Sequence, residues 1–148
     1  MSQRVLITGG ASGLGKELAK QYLKSGARVL ITDINEQRGN EAEFELRPLG
    51  EVHFVKASTT ADADWNDLLE WTTNKWGGLD VLVNNAGVAA GGRIDKISME
   101  DWDWIIDINL KGVIRGCRTF VPLFKKQKSG HIVNIASLAA VANAPTMS

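Results

Sequence analysis

Cysteine, tyrosine, histidine and proline are scarce here, at one, one, two and three residues of 148. Each scarcity excludes something. A lone Cys117 has no internal partner, so no disulfide framework holds the chain, which suits a reducing compartment. His53 and His131 lie in or beside short apolar runs without the spacing of metal ligands, and no metal is expected. Asp101, Asp103 and Asp107 fall in a helical stretch, where solvation is the simpler reading. No apolar run reaches membrane-spanning length. The start Met1-Ser2-Gln3-Arg4 enters an apolar strand without a signal-peptide core, so a cytoplasmic location is expected. Acidic residues are absent from 111–148, which carry 6 basic ones, whereas 51–110 carry 11 acidic and 4 basic. Lys111, Arg115 and Arg118 recur at helical spacing and read as a solvated face. No basic-aromatic module accompanies them, and neither a nucleic-acid nor a membrane partner is expected.

What is present fits one globular domain over 1–148, with 44% hydrophobic residues, 23% charged residues and 17 charges of each sign. Short runs rich in Val, Ile and Leu predict strands at 4–8, 28–32, 52–55, 79–83 and 131–135, alternating with helical stretches at 14–25, 35–46, 62–76 and 98–126. This alternation predicts an α/β fold with a doubly wound parallel sheet, covered on both faces in three layers. The last helical stretch divides near Asn109, with a capping signal at Ser98-Met99-Glu100-Asp101 and a kink expected at Pro122. Gly112 and Gly116 imply either close packing or a simple stability cost. Trp65, Trp71 and Trp76, like Trp102 and Trp104, are expected as partly buried packing residues. Tyr22 belongs to the first helix and reads as core.

Glycine, at 15 residues, is in excess and clustered. Thr8-Gly9-Gly10-Ala11-Ser12-Gly13-Leu14-Gly15 follows the first strand and opens a helix. Glycine there lets the backbone approach a pyrophosphate, and free N–H groups with the helix dipole favour its charge. Asp33 closes the second strand 18 residues beyond Gly15. A carboxylate in that place accepts the hydroxyls of an adenosine ribose and repels a 2′-phosphate, favouring NAD over NADP. Asp33 also suits an N-cap of the next helix. Asn84-Asn85-Ala86-Gly87 follows the fourth strand, at the sheet edge where open α/β folds bind ligands. Asn109 falls at the junction of two helices, where an amide can hold open a backbone bond or order a water. Ser137 follows the fifth strand and places a hydroxyl at the same edge.

These residues resemble the short-chain dehydrogenase/reductase family. Residues 8–15 match its TGxxxGxG turn, Asn84 to Gly87 its NNAG, Asn109 its active-site asparagine and Ser137 its active-site serine. The resemblance implies a Rossmann-type fold and an NAD(H)-dependent oxidoreductase acting on a small-molecule alcohol or carbonyl compound. It assigns Ser137 to orienting the substrate oxygen and Asn109 to holding a relay water. Gly9, Ser12, Gly13, Leu14, Gly15, Asp33, Ser58, Asn85, Ala86 and Gly87 would bind the cofactor. Ser58 stands where the family usually has an aspartate against the adenine. The family's acid/base tyrosine and its lysine fall beyond Ser148, so these residues alone are expected to bind cofactor at best. The expectation is therefore the first part of a longer enzyme, cut after the fifth strand, with a homodimer or homotetramer at full length. Two rivals remain, a non-catalytic dinucleotide-binding protein and a methyltransferase with a similar glycine turn.

Overall fold

The structure, a computed structural model, describes residues 2–138. The elements follow in the expected order: β1 (Arg4–Thr8), α1 (Gly13–Lys24), β2 (Arg28–Asp33), α2 (Glu36–Leu46), β3 (Val52–Lys56), α3 (Asp62–Trp76), β4 (Val81–Asn84), α4 (Met99–Ile106), α5 (Gly112–Gln127) and β5 (His131–Asn134). All sheet pairings are parallel, and the strand order is β3-β2-β1-β4-β5. The chain steps outward from β1 to β3 and then returns to place β4 on the other side of β1. That reversal opens a crevice at the carboxyl ends of β1 and β4.

Both faces of the sheet are buried, which explains the nearly continuous apolar strands. Val5, Ile7, Val29, Ile31, Val81 and Val83 meet Ala19 and Leu23 of α1 and Ala42 and Leu46 of α2. Leu6, Leu30 and Leu82 point the opposite way, onto Trp65 and Leu68 of α3 and Phe120 and Phe124 of α5. Burying each such side chain contributes about 1.5–3 kcal/mol. Trp65 and Trp76 are buried as expected, with Trp71 packed against them. Tyr22 packs against the α1/α2 side of the core.

Local signals explain the helix ends. The Asn35 side chain caps α2 by accepting from Arg38 N at 3.0 Å. Asp62 and Asp64 sit in the first turn of α3, where the helix dipole favours them, and Gly77 closes its last turn in the left-handed conformation (φ 73°). Ser98 caps α4 by accepting from Asp101 N at 3.1 Å. A π-helical turn, Asp107–Lys111, joins α4 to α5 and contains Asn109. The division expected there takes this wider form. Helix α5 continues through Pro122 without a break in its assignment. A Cβ on Gly116 would lie 2.5 Å from Asn84 Oδ1 and 2.8 Å from the Trp65 ring, so close packing is the reason for this glycine.

The amino edge of the sheet is fastened by ion pairs. Arg4 holds Asp80 through two side-chain contacts of 2.9 and 2.7 Å. That bond keeps the Asp80 carboxyl below its usual range. Glu51 accepts both Arg28 Nε and Nη2, the Trp76 indole N–H at 2.8 Å and a contact from His53 at 3.3 Å. The Arg28 bonds, with those from Trp76 and His53, bring its pKa down to about 2. Leu79 was expected to begin the fourth strand. Its N–H and C=O instead bind the Gln127 side chain, and β4 starts two residues later.

Candidate functional site

Thr8 ends β1 and organises the carboxyl edge. Its buried hydroxyl accepts from the backbone N–H of Asn85 and of Ala86, both at 3.0 Å. Asn85 answers with its amide, donating from Nδ2 to Thr8 O at 2.9 Å and Gly9 O at 3.2 Å. The two loops are thereby stitched across the β1–β4 gap. Gly9 has a φ of +64°, and a Cβ there would meet Ala86 Cα at 2.9 Å. A Cβ on Gly15 would meet Gly9 O at 2.2 Å. The turn is therefore built from backbone that side chains would fill, which is the form of an anion cradle.

The edge opens into a cleft of about 1130 Å³. Of the residues expected to bind cofactor, Gly9, Ser12, Gly13, Leu14, Asp33, Ser58, Asn85, Ala86 and Gly87 line it, while Gly15 supports the turn from behind. Asp33 is not the cap of α2, because Asn35 does that work. Its carboxylate is oriented by Asn35 N at 3.0 Å and Ala11 N at 3.4 Å, and among the described residues it enters no salt bridge.

Asn109 grips the loop after the NNAG segment. Its Oδ1 accepts from Val88 N and its Nδ2 donates to Val88 O, each at 2.8 Å. The π turn places that amide against the loop. Ser137 is exposed in the segment just beyond β5 and is not among the cleft-lining residues. The Asn84 side chain reaches Asn134 Oδ1 at 2.8 Å and so ties β4 to the strand that leads to Ser137.

Two expectations are corrected here. Arg115 does not belong to a solvated face: it binds Asp62 at 3.1 Å and Asp107 at 3.0 Å, and lines the cleft with Lys111. Its partner Asp62 comes from the first turn of α3, a tertiary contact that helical spacing does not reveal. Trp104, expected as a partly buried packing residue, is 47% exposed on the cleft wall. Trp102 and Trp104, two residues apart on α4, face nearly opposite sides of the helix, but spacing alone does not say which side meets the cleft. Thr32 was also missed. The residue lines the cleft, while its hydroxyl is buried and has no hydrogen-bond partner among the described residues. No tyrosine lines the cleft among the described residues.

The parallel sheet, the glycine turn and the cleft at the strand-order reversal define a Rossmann-type α/β protein. The model of the short chain dehydrogenase family matches residues 3–148, and the chain belongs to that family. A short chain dehydrogenase/reductase from Burkholderia phymatum in complex with NAD is 32% identical with a TM-score of 0.94, covering 99% of this chain and 53% of that one. A metagenomic short-chain oxidoreductase in complex with NADP is 31% identical with a TM-score of 0.91, covering 99% and 67%. Cyclopentanol dehydrogenase of Comamonas testosteroni is 34% identical over 142 residues, which is 95% of this chain and 57% of that protein. The chain spans about half the length of the curated relatives it matches, between 54% and 57%.

Proposed function

We propose that this chain forms the cofactor half of an NAD(H)-dependent oxidoreductase that interconverts a small alcohol and its carbonyl compound. The observation that carries the reading is the cleft itself, with a Cβ-free glycine turn at one wall and at another a carboxylate, Asp33, held only by backbone N–H groups among the described residues. These residues fit a dinucleotide. Gly9, Ser12, Gly13 and Leu14 would hold the pyrophosphate through backbone N–H groups and the α1 dipole. Asp33 would accept the adenosine ribose hydroxyls and disfavour a 2′-phosphate, making NAD the preferred form. The bound nicotinamide supplies hydride chemistry, and the protein supplies binding and orientation.

The remaining roles belong to the chain's own side chains. Asn85, Ala86 and Gly87 form a flat wall held by Thr8. Asn109, with both amide groups on Val88, fixes the next loop. Ser137 would hydrogen-bond the substrate oxygen and orient it. Tyr22 packs against the α1/α2 side of the core and does not line the cleft. The test is the ratio of NAD to NADP affinity in Asp33→Ala. The ratio should fall by at least about tenfold, the value of one lost charged interaction of about 1.4 kcal/mol. An unchanged ratio would remove Asp33 from the cofactor site.

A further inference from the structure

The outer end of the cleft, beyond Asp33, is built from hydroxyl groups. Strand β3 forms the sheet edge, and its register sets Asp33 opposite Lys56. Ala57 and Ser58 continue along that edge, with Ala57 N donating to Asp33 O at 3.2 Å. Ile34, 67% exposed, and Ala57 give this end apolar lining. The polar side chains beside them are those of Ser58, Thr59 and Thr60, and the Ser58 Oγ and Thr60 Oγ1 atoms lie 2.8 Å apart. Thr60 N also donates to Ser58 Oγ at 3.2 Å. The carboxylate of Asp64 does not line the cleft, and its Oδ2 instead accepts from Ser58 N at 2.6 Å.

A carboxylate only accepts hydrogen bonds, whereas a hydroxyl donates or accepts as its proton turns. The Ser58–Thr60 pair holds two protons, one of which lies between the two oxygens. Reversing that internal bond changes which oxygen keeps the free proton, and the pair can present a donor or an acceptor outward. A ring edge carrying an amine and one carrying an oxygen are therefore both satisfied. We infer that this chain accepts a 6-oxopurine dinucleotide nearly as well as a 6-aminopurine one, with Ser58 and Thr60 as the groups that permit it. The inference rests on the dinucleotide assignment of the cleft. Strong discrimination at a hydrogen-bonding edge requires that the wrong ligand leave a group unpaired, and a reversible hydroxyl pair leaves none.

The experiment is a calorimetric titration of the protein with NADH and with reduced nicotinamide hypoxanthine dinucleotide. The two dissociation constants should agree within about threefold, as expected where no hydrogen bond is lost. Ser58→Asp, which installs a fixed acceptor, should raise the preference for NADH to about tenfold or more. A wild-type preference of about tenfold for either base would overturn the inference, and this measurement decides even where the variant fails to fold. An unchanged ratio in a folded Ser58→Asp protein would overturn it too, by removing position 58 from the base. Binding of neither dinucleotide would dismiss the cofactor assignment and this subsite together, an outcome distinct from binding one and rejecting the other.

Discussion

Replacing Gly15 by alanine tests whether the glycine turn is set by close approach. The added Cβ would lie 2.2 Å from Gly9 O, 2.6 Å from Asn85 Nδ2 and 2.9 Å from Gly9 C. Two of these are backbone atoms, and Asn85 is itself held by Thr8 O and Gly9 O, so no flexible side-chain end can yield. Restoring ordinary contact means opening the turn by about 1 Å, an overpacking cost of about 1–3 kcal/mol. Losing the Asn85 to Gly9 bond adds about 1 kcal/mol. Alanine in the helix returns about 1 kcal/mol relative to glycine. The net is a destabilisation of about 1–3 kcal/mol, or about 2–4 °C in melting temperature per kcal/mol for a chain of this size. Melting followed by circular dichroism, with NADH titration alongside, reads both the fold and the cradle. Gly13→Ala is the control, because nothing lies within 4 Å of its Cβ and only its φ of +51° is strained. That strain costs about 1–2 kcal/mol without moving Gly9 or Asn85. If Gly15→Ala melted within about 1 °C of the parent and bound NADH equally well, the close-approach account would be refuted.

Three further perturbations address other parts of the molecule. Asn109→Leu removes two exposed hydrogen bonds to Val88, together worth about 1 kcal/mol, and should speed amide exchange at Val88 about fivefold; unchanged exchange would mean that the loop is held elsewhere. Glu51 is held below its ordinary 4.5 at about 2, so its ion pair stabilises the fold fully above pH 4.5 and is lost as pH falls towards 2. With the side chain 39% exposed, screening limits the effect to about 1 kcal/mol or less, and Glu51→Gln should flatten the acid limb of a denaturation series; parallel curves for variant and parent would contradict the assignment. Ser137→Ala, in the full-length protein, should lower kcat by about 10²-fold with cofactor affinity unchanged, and loss of affinity alone would sink the role given to Ser137.

The sheet and the residues that line the cleft were legible because their signals are local. Apolar runs of strand length between capped helices specify a doubly wound sheet, and Gly9 to Gly15, Asp33 and Asn84 to Gly87 each sit next to the strand that positions them. What was misread depends on contacts between distant segments. Arg115 is paired through Asp62, 53 residues away, so its helical neighbours Lys111 and Arg118 gave a false guide. Trp104 lies about 200° around α4 from Trp102, and only the tertiary placement of α4 decides which of the two meets the cleft. The choice between Asp33 and Asn35 as the cap of α2 depended on a single side-chain bond, from Arg38 N to Asn35 Oδ1. Leu79 is buried like a strand residue, yet Gln127, from the far end of α5, occupies its backbone groups.

The stitch between Thr8 and Asn85 also sets an order on folding. Strands β1, β2 and β3 come from the first 56 residues and pair with sequence neighbours, so they close short loops. Bringing β4 beside β1 instead joins Val5 to Val81, a loop whose entropy must be spent before contacts repay it. The bonds from Asn85 and Ala86 to Thr8 form only after that docking. The cleft therefore exists only once β4 has docked on β1, and a ligand that bridges its two walls favours the docked state over partly folded ones by mass action. Cofactor present during refolding should raise the yield of native protein more than it raises the rate at which the β1–β3 unit forms.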